Sequence, residues 1–180
     1  MKTLARLLPV ALVGCLAPSP DKEVVPAGPG SLVINEAVWS SLRLDGTTDP
    51  HDWVELYNPT SDRIVDAAGC VLTDGGKDHR LQIPAGTFVQ PHAFLLLEKA
   101  DTPDEAGGLR YAFGFSHDET VRLLDARGDM LDSVSLEGRP AGKSVGRFPD
   151  GAGSPQPLLD VTPGAANLPA TSGCPSALGP

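Results

Sequence analysis

Glycine and proline punctuate this chain so often that no long regular element can form without a break. There are 20 glycines and 18 prolines among 180 residues, about a fifth of the chain. Proline removes an amide donor and glycine raises the entropic cost of ordering, so both work against helices. Between the breaks lie short runs with strand character. Residues 31–39 are rich in β-formers, and 52–58 alternate until Pro59 stops them. Residues 63–73 are mostly apolar, with Gly69 inside marking a bulge or bend. Residues 80–83, 87–89, 110–115, 120–125 and 130–136 follow, with Gly128 in a tight turn between the last two. Residues 93–98 form a continuous apolar run, the pattern of a central strand. Only 100–107 has room for a single turn of helix. About nine short strands at regular spacing predict an all-β fold, a two-sheet β-sandwich.

The N-terminus reads as an address. Lys2 and Arg6 precede a short apolar core at 7–13, followed by Gly14 and Cys15. This is the layout of a secretory leader. The core is shorter than the roughly 20 residues that a membrane-spanning helix needs. Leu12-Val13-Gly14-Cys15 resembles the lipobox of bacterial lipoproteins. The resemblance implies cleavage before Cys15, acylation of Cys15 and a membrane anchor. Several acyl chains hold a protein durably, at about 0.8 kcal/mol per buried CH₂. An ordinary leader with an incidental cysteine is the alternative. Leu16 after the cysteine suits sorting to the outer membrane. The expected layout is a signal peptide at 1–14, a proline-rich tether at 15–30, a folded body at 31–167 and a loose tail at 168–180. Lys and Arg number 14 against 23 Asp and Glu, a formal charge of −9, with no basic cluster. Phosphate-driven nucleic-acid binding is therefore not expected.

Glu36 and Glu55 are the most suggestive chemical pair, because each sits in an otherwise apolar strand. Simple alternation puts Glu36 on a face with Ile34 and Val38, and Glu55 on one with Trp53 and Tyr57. A carboxylate in such company is paired, hydrogen-bonded or exposed. General-acid and metal-ligand roles are conceivable, but a structural role accepting hydrogen bonds is the reading preferred here. Asp45, Asp49 and Asp52 crowd the loop between the first two strands, and Glu36 is close in sequence. Such oxygens can wrap a hard cation, yet the spacing lacks EF-hand order. An acidic, solvated loop is preferred, and no metal site or cofactor is assigned. Ser116-His117-Asp118-Glu119 holds triad chemistry, but adjacent turn residues do not face one another as a triad must. His51, His79, His92 and His117 lack metal-ligand spacing. Arg139, Lys143 and Arg147 could meet an acidic partner or guard a strand edge. Trp39, Trp53 and Tyr57 could stack on a sugar, although core packing suits Trp53 better.

Two cysteines remain once Cys15 carries lipid. Cys70 lies in an apolar segment and Cys174 in the tail. Disulfides persist in exported proteins, and a Cys70–Cys174 bond would close a loop of about a hundred residues, worth up to ~4.7 kcal/mol. The other reading of Cys70 is a small core hydrophobe.

Leu32-Val33-Ile34-Asn35-Glu36 followed by Asp52-Trp53-Val54-Glu55-Leu56-Tyr57-Asn58 resembles the opening of a lamin tail domain of the bacterial type. Residues Ser144-Val145-Gly146-Arg147-Phe148-Pro149-Asp150-Gly151 and Thr162-Pro163-Gly164-Ala165-Ala166-Asn167 resemble its closing motifs. The resemblance implies an immunoglobulin-like sandwich over 31–167 and supplies no catalytic residue. It lacks the filament-forming rod of animal lamins, so a nuclear role does not carry over. The resulting expectation is a lipid-anchored interaction or scaffolding module of the bacterial cell envelope, not an enzyme. It would touch the membrane through its lipid and bind a protein or envelope polymer. The alternatives are a metal-dependent or hydrolase-associated surface protein using Glu36, Asp52 and Glu55, and a carbohydrate-binding module.

Overall fold

Apolar and β-branched residues alternate between turns along most of the chain, and those runs become strands. A computed structural model describes residues 22–42, 50–102 and 105–169. Its strands are β1 (Glu23–Pro26), β2 (Val33–Leu42), β3 (Pro50–Tyr57), β4 (Arg63–Asp66), β5 (Val71–Thr73), β6 (Arg80–Gln82) and β7 (Phe88–Val89). They continue with β8 (Phe94–Lys99), β9 (Arg110–Tyr111), β10 (Thr120–Leu124), β11 (Met130–Ser135), β12 (Ser144–Gly146) and β13 (Gln156–Pro157). The fold is an all-β sandwich. The run at 93–98 is indeed interior, as β8 between β3 and β9.

One layer is six-stranded, in the order β13-β12-β2-β3-β8-β9. Opposite it lie two shorter ladders, β11-β10-β5-β6 and β1-β4-β7. These two are one bent layer, because β4 runs on into β5 and β6 into β7. At the bend the backbone pairing continues: Ala67 N donates to Thr87 O (2.9 Å), Gly69 N to Ile83 O (2.9 Å) and Ile83 N to Cys70 O (2.8 Å). Gly69 has φ +78°, which a side chain would strain, so the expected bend falls on the residue that permits it. Ile34, Val54 and Leu97 from the first layer meet Leu72, Leu123 and Val134 from the second in one core. Burying each such aliphatic side chain contributes roughly 1.5–3 kcal/mol.

Two boundaries differ from the sequence reading. The segment 15–30 is not all tether: β1 pairs in parallel with β4, from Glu23↔Arg63 to Pro26↔Asp66, and Ala27 N donates to Asp66 O (3.0 Å). The prolines that argued for a tether also hold the chain extended. An edge strand tolerates Pro26, because no further strand needs its missing amide. At the other end, Leu159 N donates to Leu168 O (3.0 Å) and Leu158 bridges Pro169, so the ordered body reaches past residue 167. The leader, Cys15, Asp45, Asp49 and Cys174 lie outside the described residues.

Strand β2 carries two irregularities against β3. Ile34 pairs with Leu56 and Glu36 with Glu55, so Asn35 is an extra residue. A second register shift falls between Val38 and Ser41, where Ser40 has φ 51°. Bulges of this kind re-aim side chains and accentuate local twist.

Candidate functional site

The first bulge explains where Glu36 points. With Asn35 inserted, Ile34 turns into the core beside Leu56, while Glu36 joins Val38 on the outer face of the six-stranded layer. Simple alternation had kept Ile34 and Glu36 together. The bulge separates them and sets Glu36 directly across from Glu55. That outer face is covered, for Trp53, Glu55 and Tyr57 are all buried. The cover is the chain beyond β12, which folds back as a strap. Gly151 lies so close that a Cβ there would sit 2.7 Å from the Tyr57 ring.

Glu36 and Glu55 have no exposed surface. Glu36 faces the Thr162 hydroxyl at 2.9 Å and the Thr162 amide at 3.2 and 3.3 Å. Glu55 accepts from the Gly164 amide (2.6 Å) and from Asn35 Nδ2 (3.0 Å). The second hydrogen of that amide goes to Asp150 Oδ1 (3.1 Å), which also accepts from the Asn167 amide (3.0 Å). Asn35 Oδ1 accepts from Gly151 N (2.9 Å). Asn167 Nδ2 donates to the carbonyls of Asn35 (3.0 Å) and Arg147 (2.8 Å). The opening and closing motifs singled out in the sequence therefore meet here, tied by polar groups more than a hundred residues apart.

Burial governs the electrostatics. Desolvation pushes the Glu36 carboxyl above its ordinary range, and hydrogen bonding with Ser144 and Thr162 only partly opposes it. Desolvation likewise pushes Glu55 up to about 8, helped by the negative charges of Glu36 and Asp150. Among the described residues no cationic side chain bonds to any of these three acids. Arg147, the nearest in sequence, is spent elsewhere. Its Nε donates to Ile34 O (3.1 Å), one Nη pairs with Asp132 (2.7 Å) and the other meets Gly153 O.

The other candidate residues do not converge with this cluster. Asp52 occupies the second bulge, accepting from the amides of Ser40 and Phe115, each at 2.6 Å. It shares no hydrogen-bond partner with Glu36 or Glu55. Among the described residues no group of three or more His, Cys, Asp or Glu side chains is placed to hold a metal ion. The histidines are scattered. His51 lies 3.3 Å from Glu98, His79 2.6 Å from Asp74, His92 3.1 Å from the Tyr57 hydroxyl and His117 3.0 Å from Asp118. Glu119 does not activate Ser116; it caps its amide (2.7 Å) in an exposed turn. Trp53 and Tyr57 are buried, and the Trp39 indole donates to Arg139 O (3.2 Å), so the three do not make an open aromatic platform. Cys70 is a free, buried thiol, and desolvation pushes it up to about 11.

One open concavity involves the basic segment. A groove of about 630 Å³ is lined by Thr120, Ser133, Ser135, Glu137, Arg139 and Val145 among others. The sequence reading made 130–136 a strand, but nothing in it grouped these serines with Arg139. Asn35, Asp150, Thr162 and Asn167 were likewise missed as site residues, although all four stand within the motifs quoted above.

Comparison of the chain with family models, with curated proteins and with solved structures gives no match.

Proposed function

We propose that this protein is a lipid-anchored interaction or scaffolding module of the bacterial cell envelope, similar to lamin tail domains and without chemistry of its own. One observation carries the reading. The carboxylates that an enzyme of this sequence would use, Glu36, Asp52 and Glu55, are buried and committed to backbone amides of the same chain. A general acid or a metal ligand needs an open side toward substrate; for Glu36 and Glu55 that side is closed by the strap, and Asp52 is buried against the amides of Ser40 and Phe115. The lipobox-like leader supports the envelope location. The test is crosslinking in intact envelopes followed by capture of the full chain, together with metabolic labelling by a fatty-acid analogue. Labelling that disappears in Cys15→Ser, with the chain leaving the membrane fraction, is the expected result. Labelling and fractionation unchanged by that substitution would sink the anchor.

The partner in this reading is a protein or an envelope polymer. The hydroxyl-lined groove favours the polymer, since Ser133, Ser135 and Thr120 can each donate and accept hydrogen bonds to sugar hydroxyls. Binding of an envelope glycan that Ser135→Trp blocks would support this over a protein partner.

A further inference from the structure

Hydrogen-bond counting at the strap places a proton on Glu36. The Asn167 amide is oriented without ambiguity, because its Nδ2 lies 3.0 and 2.8 Å from two carbonyl oxygens, which can only accept. Its Oδ1 therefore faces the Thr162 hydroxyl, 2.8 Å away, and must accept from it. That hydroxyl has one hydrogen, already spent, yet it also lies 2.9 Å from Glu36 Oε2. Two oxygens at that distance need a hydrogen between them. Only Glu36 is left to supply it. The Ser144 hydroxyl beside Glu36 donates to Asp160 O (3.0 Å), so it does not supply the missing hydrogen.

We infer that Glu36 is a carboxylic acid in the folded protein, and that with Glu55 it forms a proton-held latch whose deprotonation releases the strap of residues 150–169. Among the described residues the groups facing the pair come from β2, β3, β12 and the strap. From β2 come Asn35 and Glu36, from β3 Glu55, from β12 Ser144, and from the strap Asp150, Thr162, Gly164 and Asn167. The third acid, Asp150, adds only negative charge. Burial without a cation disfavours a second and third charge in this space. Loss of the Glu36 proton sets a carboxylate against the lone pairs of Thr162 Oγ1 and beside a second acid. The cheapest relief is local. Beyond the short β12–β13 ladder the strap is held chiefly by these polar bonds, since Leu158 is buried while Leu159, Val161 and Leu168 are all exposed. Segments with few buried apolar contacts open first. The upward shifts of both glutamates, already traced to burial, agree with the hydrogen count.

The experiment is hydrogen exchange of the full chain, read by mass spectrometry from pH 6 to 9.5. After correction for intrinsic exchange, strap opening should rise by about tenfold per pH unit for each proton lost, while amides of β3 and β8 keep their protection. Glu36→Gln supplies a permanent N–H donor to Thr162 Oγ1 and should remove the part of that excess that comes from Glu36, and Glu36→Gln with Glu55→Gln should leave the strap closed at pH 9. A flat wild-type profile overturns the latch, as does Glu36→Gln opening at pH 6. Should that variant not fold, the wild-type carboxyl carbon signals decide by NMR. A Glu36 signal titrating well above its ordinary range supports the latch, and one titrating near 4.5 overturns it.

Discussion

The two bulges of β2 are each filled by a carboxylate from β3, and they solve the same problem in opposite ways. At one, Asp52 accepts two short backbone hydrogen bonds, from Ser40 and Phe115, and so fixes a serine in left-handed backbone. At the other, Glu55 faces Glu36 with Asp150 nearby, and every donor is neutral. The first site spends a carboxylate on geometry. The second crowds acids together and must hold protons to stay closed. Three residues apart on one strand, the same functional group is a staple in one place and a titratable clasp in the other.

The largest effect should come from breaking the staple. Asp52→Ala leaves two amides without acceptors and Ser40 without support, and should cost about 4 kcal/mol in denaturant unfolding. Glu36→Gln, by contrast, should cost little at pH 6, because the amide reproduces the donor. Next comes Gly146→Ala at the clasp. Its Cβ would lie 2.3 Å from the Asn35 carbonyl oxygen and 2.9 Å from Leu158, and backbone cannot move aside, so about 3 kcal/mol should be lost.

The pH response sharpens the contrast further. Glu55 is raised from 4.5 to about 8, so the folded chain holds a proton that the unfolded chain has already released. The stabilisation is whole below pH 4.5 and drains as pH rises through 8, at about 1.4 kcal/mol per pH unit for each proton held. Equilibrium unfolding across pH 5–9 should show this slope, and Glu36→Gln combined with Glu55→Gln should flatten it. Gly114→Ala probes the staple side more gently. Its Cβ would meet the flexible end of Lys99 at 3.0 Å and Asp52 Oδ2 at 3.2 Å, so about 1 kcal/mol is expected. Calcium should change nothing. Calorimetry on the full chain should register no micromolar binding, and binding abolished by Glu36→Ala would reverse the reading of the cluster.

How much of this was legible depends on distance along the chain. The strands were, because alternation and turn residues act locally: the bend at Gly69 and the interior place of β8 followed from a few neighbouring positions. Glu36 and Glu55 stood out as acids in apolar strands. Their facing each other did not, because one inserted residue, Asn35, reverses the face on which Glu36 lies, and nothing in a single sequence marks a bulge at an asparagine. Thr162 and Asn167 lie 126 and 132 positions from their partners on β2. No periodicity reaches that far. Strand β1 was missed for a different reason: proline signals extension, and extension alone does not distinguish a tether from an edge strand.

That edge strand sets a mechanical limit. Cys15 and Glu23 are eight positions apart, so an anchored Cys15 has a leash of at most about 29 Å to the first paired residue. A leash running to residue 31 would be about twice as long. Because β1 lies parallel to β4 through four register pairs, a pull along its axis loads those pairs together in shear instead of peeling them one by one. A body anchored as proposed would ride close to the bilayer and take tension directly into Arg63–Asp66, on the layer facing away from the strap.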